Sequence, residues 1–224
     1  MNFAKGFTLI ELAMVLFIVS LVFGGLLVPL ATQLEGRQRN EARQQLERIE
    51  EALIGFAIIN NRLPCPTTQA DPTNANYGLE DATCPVAPTI DGILPWMTLG
   101  VRAVDPWGIP RTATTDPWTG YWRYRVHRDF SSATLFTLSK QTSASDQLSV
   151  QDSAGNLLTA NTERPVLIVY STGANLTADG QNATFEPTSG IYQGGTVSGN
   201  FDDITIWISR PYLFNYMVRA GKLP

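Results

Sequence analysis

The chain opens with an apolar run that turns abruptly polar. From Leu12 to Leu34 no position is charged, whereas Glu35 to Glu51 carries nine charges. Within Phe7–Ala31 only Thr8, Glu11 and Ser20 are polar. At about 1.5 Å per residue, a helix of that length crosses the roughly 30 Å hydrocarbon core of a bilayer. Further on, Leu46, Ile49, Leu53 and Phe56 recur at spacings of three and four, with Arg43, Glu47, Arg48, Glu50 and Glu51 between them. That spacing predicts a helix with one apolar stripe. Apart from Gly36 and Gly55, nothing between Ala31 and Asn60 is a strong breaker. The two segments therefore read as one helix of about 50 residues, near 80 Å long. Pro29, lacking a backbone donor, marks with Gly24 and Gly25 the expected place for a kink. The helix is expected to stop at Leu63, because Pro64 and Pro66 disfavour helical geometry in the residues before them.

From Asn61 onward the pattern becomes short β-like runs between turns. Tyr121–Val126, Thr134–Leu138, Val166–Ser171 and Ile204–Ser209 are rich in Val, Ile, Thr, Tyr and Trp and predict strands. Long loops are expected at Thr67–Ile90, Gln141–Thr162 and Ala174–Asn200. Ser209, Arg210 and Pro211 leading into Tyr212–Ala220 and then Gly221 predict a capped short helix with a glycine stop. The expected fold is α+β, a long N-terminal helix packed on an antiparallel β-sheet head with long loops. The parts are a membrane-spanning helix at 7–31, an amphipathic continuation at 32–63 and a β-rich head at 64–224.

Composition narrows the function classes. The 224 residues are 44% hydrophobic and 16% charged, enough for a core and too apolar for a disordered polyelectrolyte. A net charge of −4 leaves no electrostatic footprint for nucleic acid. The first segment does not read as an ordinary secretory signal, since its run is too long, it carries an acid near its start, and a cut after Ala31 would put Pro29 three positions before the cut. Cys65 and Cys84, the only cysteines, are each followed by proline. An even count fits a disulfide in an oxidising compartment, contributing on the order of 3 kcal/mol; two unrelated thiols are the alternative. A zinc site is disfavoured, because two cysteines and one distant histidine do not supply four ligands.

Three Pro-Trp pairs, at Trp96, Trp107 and Trp118, read as aromatic anchors beside turns rather than as a ligand cage. His127, the single histidine, reads as an ordinary surface or strand-end residue. With no Gly-x-Ser-x-Gly, no His-Glu-x-x-His and no phosphate loop, an enzyme is not expected. The acceptor patterns at Asn175 and Asn182 are assigned to turns.

The anomalous residue is Glu11. An acid inside a span costs roughly 2.5–3.5 kcal/mol on insertion scales, and the span holds no Lys or Arg to pair with it. Either Glu11 is tolerated near the headgroups or it finds a cation in the membrane plane. A newly exposed α-amino group is one such cation. The residues around it, Lys5-Gly6-Phe7-Thr8-Leu9-Ile10-Glu11-Leu12, resemble without a mismatch the processing site of type IV pilins and type II secretion pseudopilins. The resemblance implies a leader at 1–6, cleavage after Gly6 by prepilin peptidase, and N-methylation of Phe7. It also implies pairing of Glu11 with the N-terminal amine of a neighbouring subunit during assembly.

The implied protein is a structural subunit, major or minor, of a type IV pilus or type II secretion filament. It would be a single-pass inner-membrane protein with a periplasmic head, later part of a periplasmic or extracellular polymer, homo- or heteromeric. Its partners would be the peptidase, other pilin or pseudopilin subunits and the inner-membrane assembly platform. The alternatives are a filament-tip adhesin or cargo- or DNA-binding minor pilin and, less favoured, a membrane-tethered enzyme. In the head, Asp116-Pro117-Trp118-Thr119-Gly120 and Tyr121-Trp122-Arg123-Tyr124 resemble the strand region of major pseudopilins. Ser171-Thr172-Gly173-Ala174-Asn175, Ala178-Asp179-Gly180 and Phe201 to Trp207 resemble their C-terminal loop, which in some members binds calcium. No cofactor is required on this reading. A calcium site through Asp179, Asp202 and Asp203 is one expectation for these acids, and capping of turns in a solvated loop is the other. About twenty residues separate Asp179 from Asp202, unlike the spacing in that family.

Overall fold

The computed structural model describes residues 8–82, 84, 91–131, 147–183 and 190–223, with the backbone alone for 23–31 and 91. The chain forms two units, Met1–Asn40 and Glu41–Pro224. One helix, α1, runs over Leu9–Asn60. In the first unit the described apolar side chains of α1 are exposed on every face, from Leu9 at 88% to Val19 at 41%. Among the described residues no helix is long and apolar enough to cross a membrane. The described side chains of the expected span end at Val22, and Pro29 with its expected kink lies outside them, although the backbone stays helical there.

In the second unit α1 buries one stripe: Ala42, Leu46, Ile49, Leu53 and Ala57. Phe56, expected in that stripe, is only half-buried and lies under the Arg62 guanidinium at 5.3 Å, while Ala57 takes the core position one residue on. The helix ends at Asn60, three residues before the expected Leu63. Asn61 adopts φ +53°, a left-handed stop that asparagine tolerates.

The head is built on a four-stranded antiparallel sheet in the order β1-β2-β4-β6, with β1 Asp91–Ile93, β2 Arg123–Val126, β4 Pro165–Ser171 and β6 Ile204–Ser209. Short helices α2 (Trp96–Leu99) and α3 (Arg128–Ser131) flank β2 in sequence. Side chains alternate across the sheet as the pleat requires. Tyr124, Val126, Leu167, Val169, Ile204 and Ile208 join the α1 stripe in the main core, while Ile168 and Tyr170 face the other side. There a second small sheet covers them, β3 (Ser149–Gln151) beside β5 (Ile191–Gln193), contributing Val150 and Tyr192. That pair is parallel, an addition to the antiparallel sheet that was expected and that forms the main layer. Both strands lie inside segments expected to be loops, and β4 is buried throughout because it is covered on both faces.

α4 (Arg210–Arg219) closes the head and places Leu213, Phe214 and Met217 in the main core. Its start is capped by Ser209, whose side chain accepts from the Tyr212 N–H, and Gly221 at φ +68° ends it as expected. Cys65 and Cys84 form a disulfide with Cα atoms 5.1 Å apart. The strap it closes is further held by the two-pronged Arg62–Glu80 pair at 2.7 and 2.8 Å and by the buried Tyr124 hydroxyl, which donates to the Pro64 carbonyl at 3.0 Å. The expected strand Thr134–Leu138 lies outside the described residues.

Candidate functional site

Gly6 and Phe7, the expected processing and methylation positions, lie outside the described residues. Glu11 does not. Thr8 stands immediately before α1, and its N–H and hydroxyl both donate to Glu11 Oε2 at 3.0 Å, while the Glu11 N–H donates to the Thr8 hydroxyl at 3.3 Å. This is a capping box, the reciprocal closure of a helix start by Ser or Thr and a Glu three residues later. Thr8 thus gives Glu11 neutral hydrogen-bond donors from its own chain, engaging one carboxylate oxygen, but no cation. The signal was present in the sequence as Thr8-Leu9-Ile10-Glu11 ahead of an apolar run.

Asp179 and the adjacent pair Asp202 and Asp203, which is distant from it in sequence, each bring a carboxylate oxygen within 4.8 Å of the others. The β4–β6 register accounts for this. Ser171 pairs with Ile204, so the residues leaving β4 and those entering β6 meet at one edge of the sheet. Reciprocal bonds then lock the loops: the Asp179 N–H donates to Asp203 Oδ2 and the Asp202 N–H to Asp179 Oδ2, both at 3.0 Å. Gly173 sits at φ +66° against Asp202, and a Cβ there would lie 2.5 Å from the Asp202 carboxyl carbon.

Asn175 and Asn182 were not foreseen as part of this cluster. The Asn175 backbone N–H donates to Asp202 Oδ2 at 3.0 Å, and its side-chain nitrogen donates to both oxygens of Asp179. Asn175 also makes the expected turn, accepting from the Thr177 N–H. Asn182 lies in the single 3-10 turn Gly180–Ala183, in keeping with the turn expectation, and is fully buried. Its side chain donates to Asp203 Oδ2 at 2.9 Å and to the Gln193 carbonyl, and accepts from the Gln193 N–H. This ties the cluster to β5.

The cluster nevertheless remains short of positive charge and donors. Asp203 is 1% exposed and its Oδ1, like that of Asp202, has no hydrogen-bond partner among the described residues. Burial pushes the Asp203 carboxyl up to about 7, with the neighbouring Asp179 and Asp202 charges adding to the rise, and burial also raises Asp202. Capping of turns thus accounts for some of the carboxylate oxygens but leaves two buried ones over. Three carboxylates converging with unmatched oxygens suit a hard divalent cation, whose remaining ligands would come from backbone carbonyls and water.

His127 is buried rather than surface-exposed. Its Nδ1 accepts from the Asp129 N–H at 3.1 Å and its ring meets Phe130 edge to face, so it shapes the turn from β2 into α3. The Pro-Trp tryptophans serve as anchors: Trp96 and Trp118 pack with Tyr77 and Tyr121 at centroid distances of 4.7–6.2 Å, while Trp107 packs against the main core. The acids before the last two pairs cap the turns, Asp105 accepting from the Trp107 and Gly108 N–H groups and Asp116 from those of Thr112 and Ala113.

Residues 1–27 match the family model of the prokaryotic N-terminal methylation motif. The chain thus carries the prepilin-type signal of type IV pilins and pseudopilins. No curated protein and no solved structure matches it.

Proposed function

We propose that this chain is a structural filament subunit, a pilin or pseudopilin with no chemistry of its own. Prepilin peptidase cuts it after Gly6 and methylates Phe7; the segment Phe7–Ala31 anchors it in the inner membrane with the head in the periplasm. An assembly platform then stacks it with further subunits into a type IV pilus or type II secretion filament. The observation that carries this reading is the methylation motif over residues 1–27, with Glu11 inside it. Thr8 occupies only Oε2 of Glu11, so Oε1 is the atom left to receive the N-terminal amine of a neighbouring copy. The apolar faces of α1, solvated by lipid before extraction, pack against copies of themselves in the polymer.

Asp179, Asp202 and Asp203 are the ligands of a calcium ion in the same reading. The ion supplies the charge that the orphaned oxygens of Asp202 and Asp203 lack and closes the loops that follow β4 and precede β6. Its role is structural, holding the head together outside the cell membrane.

The test is a pair of variants in cells that make the filament. Gly6→Ala blocks cleavage, so the chain keeps its leader and its full mass. Glu11→Val is cleaved and inserted normally but is depleted from sheared filaments by about tenfold or more, since the loss of only about 1.4 kcal/mol of pairing already shifts an equilibrium tenfold. Normal filament incorporation of Glu11→Val would overturn the pairing role of Glu11.

A further inference from the structure

A groove of about 520 Å³ runs along the head between the later part of α1 and α4. Glu47, Glu50 and Glu51 form one wall, Tyr212 and Tyr216 the other, and Ile54 part of the floor. The two tyrosine rings meet edge to face at 5.1 Å, with their hydroxyls 3.4 Å apart. Among the described residues no Lys or Arg lines this groove. Three carboxylates beside two electron-rich ring faces over an aliphatic floor are the chemistry that recognises a guanidinium or ammonium. The carboxylates attract its charge, the rings take it by cation–π contact, and the floor takes the methylenes.

The α1 helix itself carries the matching charge, in Arg37, Arg39, Arg43 and Arg48. Arg39 is held by Glu35 in its own helix, and Arg43 and Arg48 line other cavities of the head. Arg37 is exposed, with no hydrogen bond or ion pair among the described residues. We infer that the groove formed by Glu47, Glu50, Glu51, Tyr212 and Tyr216 receives Arg37 of a second copy of this chain. A contact between two different patches is heterologous and propagates along a polymer instead of closing a dimer. It also sets opposite charges against each other between chains that each carry a net −4. The occupant rests on the filament reading above.

The experiment compares Arg37→Glu, Glu51→Arg and the two combined with the wild type, reading each chain's abundance in sheared filaments relative to membranes. Each single reversal is expected to lower incorporation about tenfold, and the combined reversal to return it to within about twofold of wild type. Recovery in the combined variant also excludes misfolding as the cause of the single losses. A single variant that assembles like wild type, or a combined variant no better than the singles, overturns the groove assignment. Loss with Glu51→Arg but not with Arg37→Glu assigns the groove to another cation and equally overturns this occupant. Wild-type chains found neither in sheared filaments nor cross-linked to one another in membranes would defeat the filament reading itself, whereas wild-type assembly with unaffected variants defeats the groove alone.

Discussion

Two stretches of the same helix solve opposite problems. Between Leu9 and Val22 α1 exposes apolar side chains on all faces, Leu9 at 88% and Phe17 at 66%, whereas between Ala42 and Ala57 it exposes only its polar side and buries Leu46 and Leu53 completely. The later stretch finds its apolar partners in its own head, in Tyr124, Val126, Leu167 and Val169. The earlier one has no such partner among the described residues of its unit. A helix apolar all round needs lipid or other helices about it, while a striped helix needs one sheet. The same element is therefore provisioned twice, once from within the chain and once from outside it.

The sharpest way to break this comparison is truncation of one leucine in each stretch. Leu53→Ala should destabilise the head by roughly 2–5 kcal/mol, the cost of a cavity in a filled core, read as a lower melting temperature. Leu16→Ala, which removes as many atoms from an exposed position, should leave head melting unchanged. Equal losses in both would show that the early stretch is packed into the head after all.

The acidic cluster marks a place where the head lacks partners of its own among the described residues, and pH sharpens that point. Without cation, the Asp203 carboxyl at about 7 stands above its unfolded value of 3.8. The folded state holds its proton more tightly, so this contribution is complete below about pH 4 and is lost as pH rises through 7. Chelator-treated protein should lose on the order of 3 kcal/mol between about pH 4.5 and 8. Millimolar calcium should restore stability at the upper end, where the carboxylates are ionised, and Asp203→Asn should abolish both effects. A melting temperature indifferent to calcium at pH 8 would discard the site.

Legibility in the sequence followed the strength of local pattern. The strand Ile204–Ser209 and the α4 cap at Ser209 were readable because alternation and capping chemistry are local, and Glu11 stood out as a lone acid in an apolar run. β3 and β5 were not readable. Three residues each cannot display a period, and their pairing is parallel across a long sequence gap. Phe56 was misplaced because period 3.6 admits both it and Ala57, and Ala57 is the one the head buries. The nearness of Asp179 to Asp202 came from the β4–β6 register, which no spacing along the chain encodes, and Asn182 entered only through that tertiary closure.

The central claim is that a processed N-terminus travels with the head into a polymer. The direct test is mass spectrometry of the N-terminal peptide from a membrane fraction and from sheared filaments. The account predicts a chain beginning at N-methylated Phe7 in both. A chain beginning at Met1, or cut near Ala31, would contradict it.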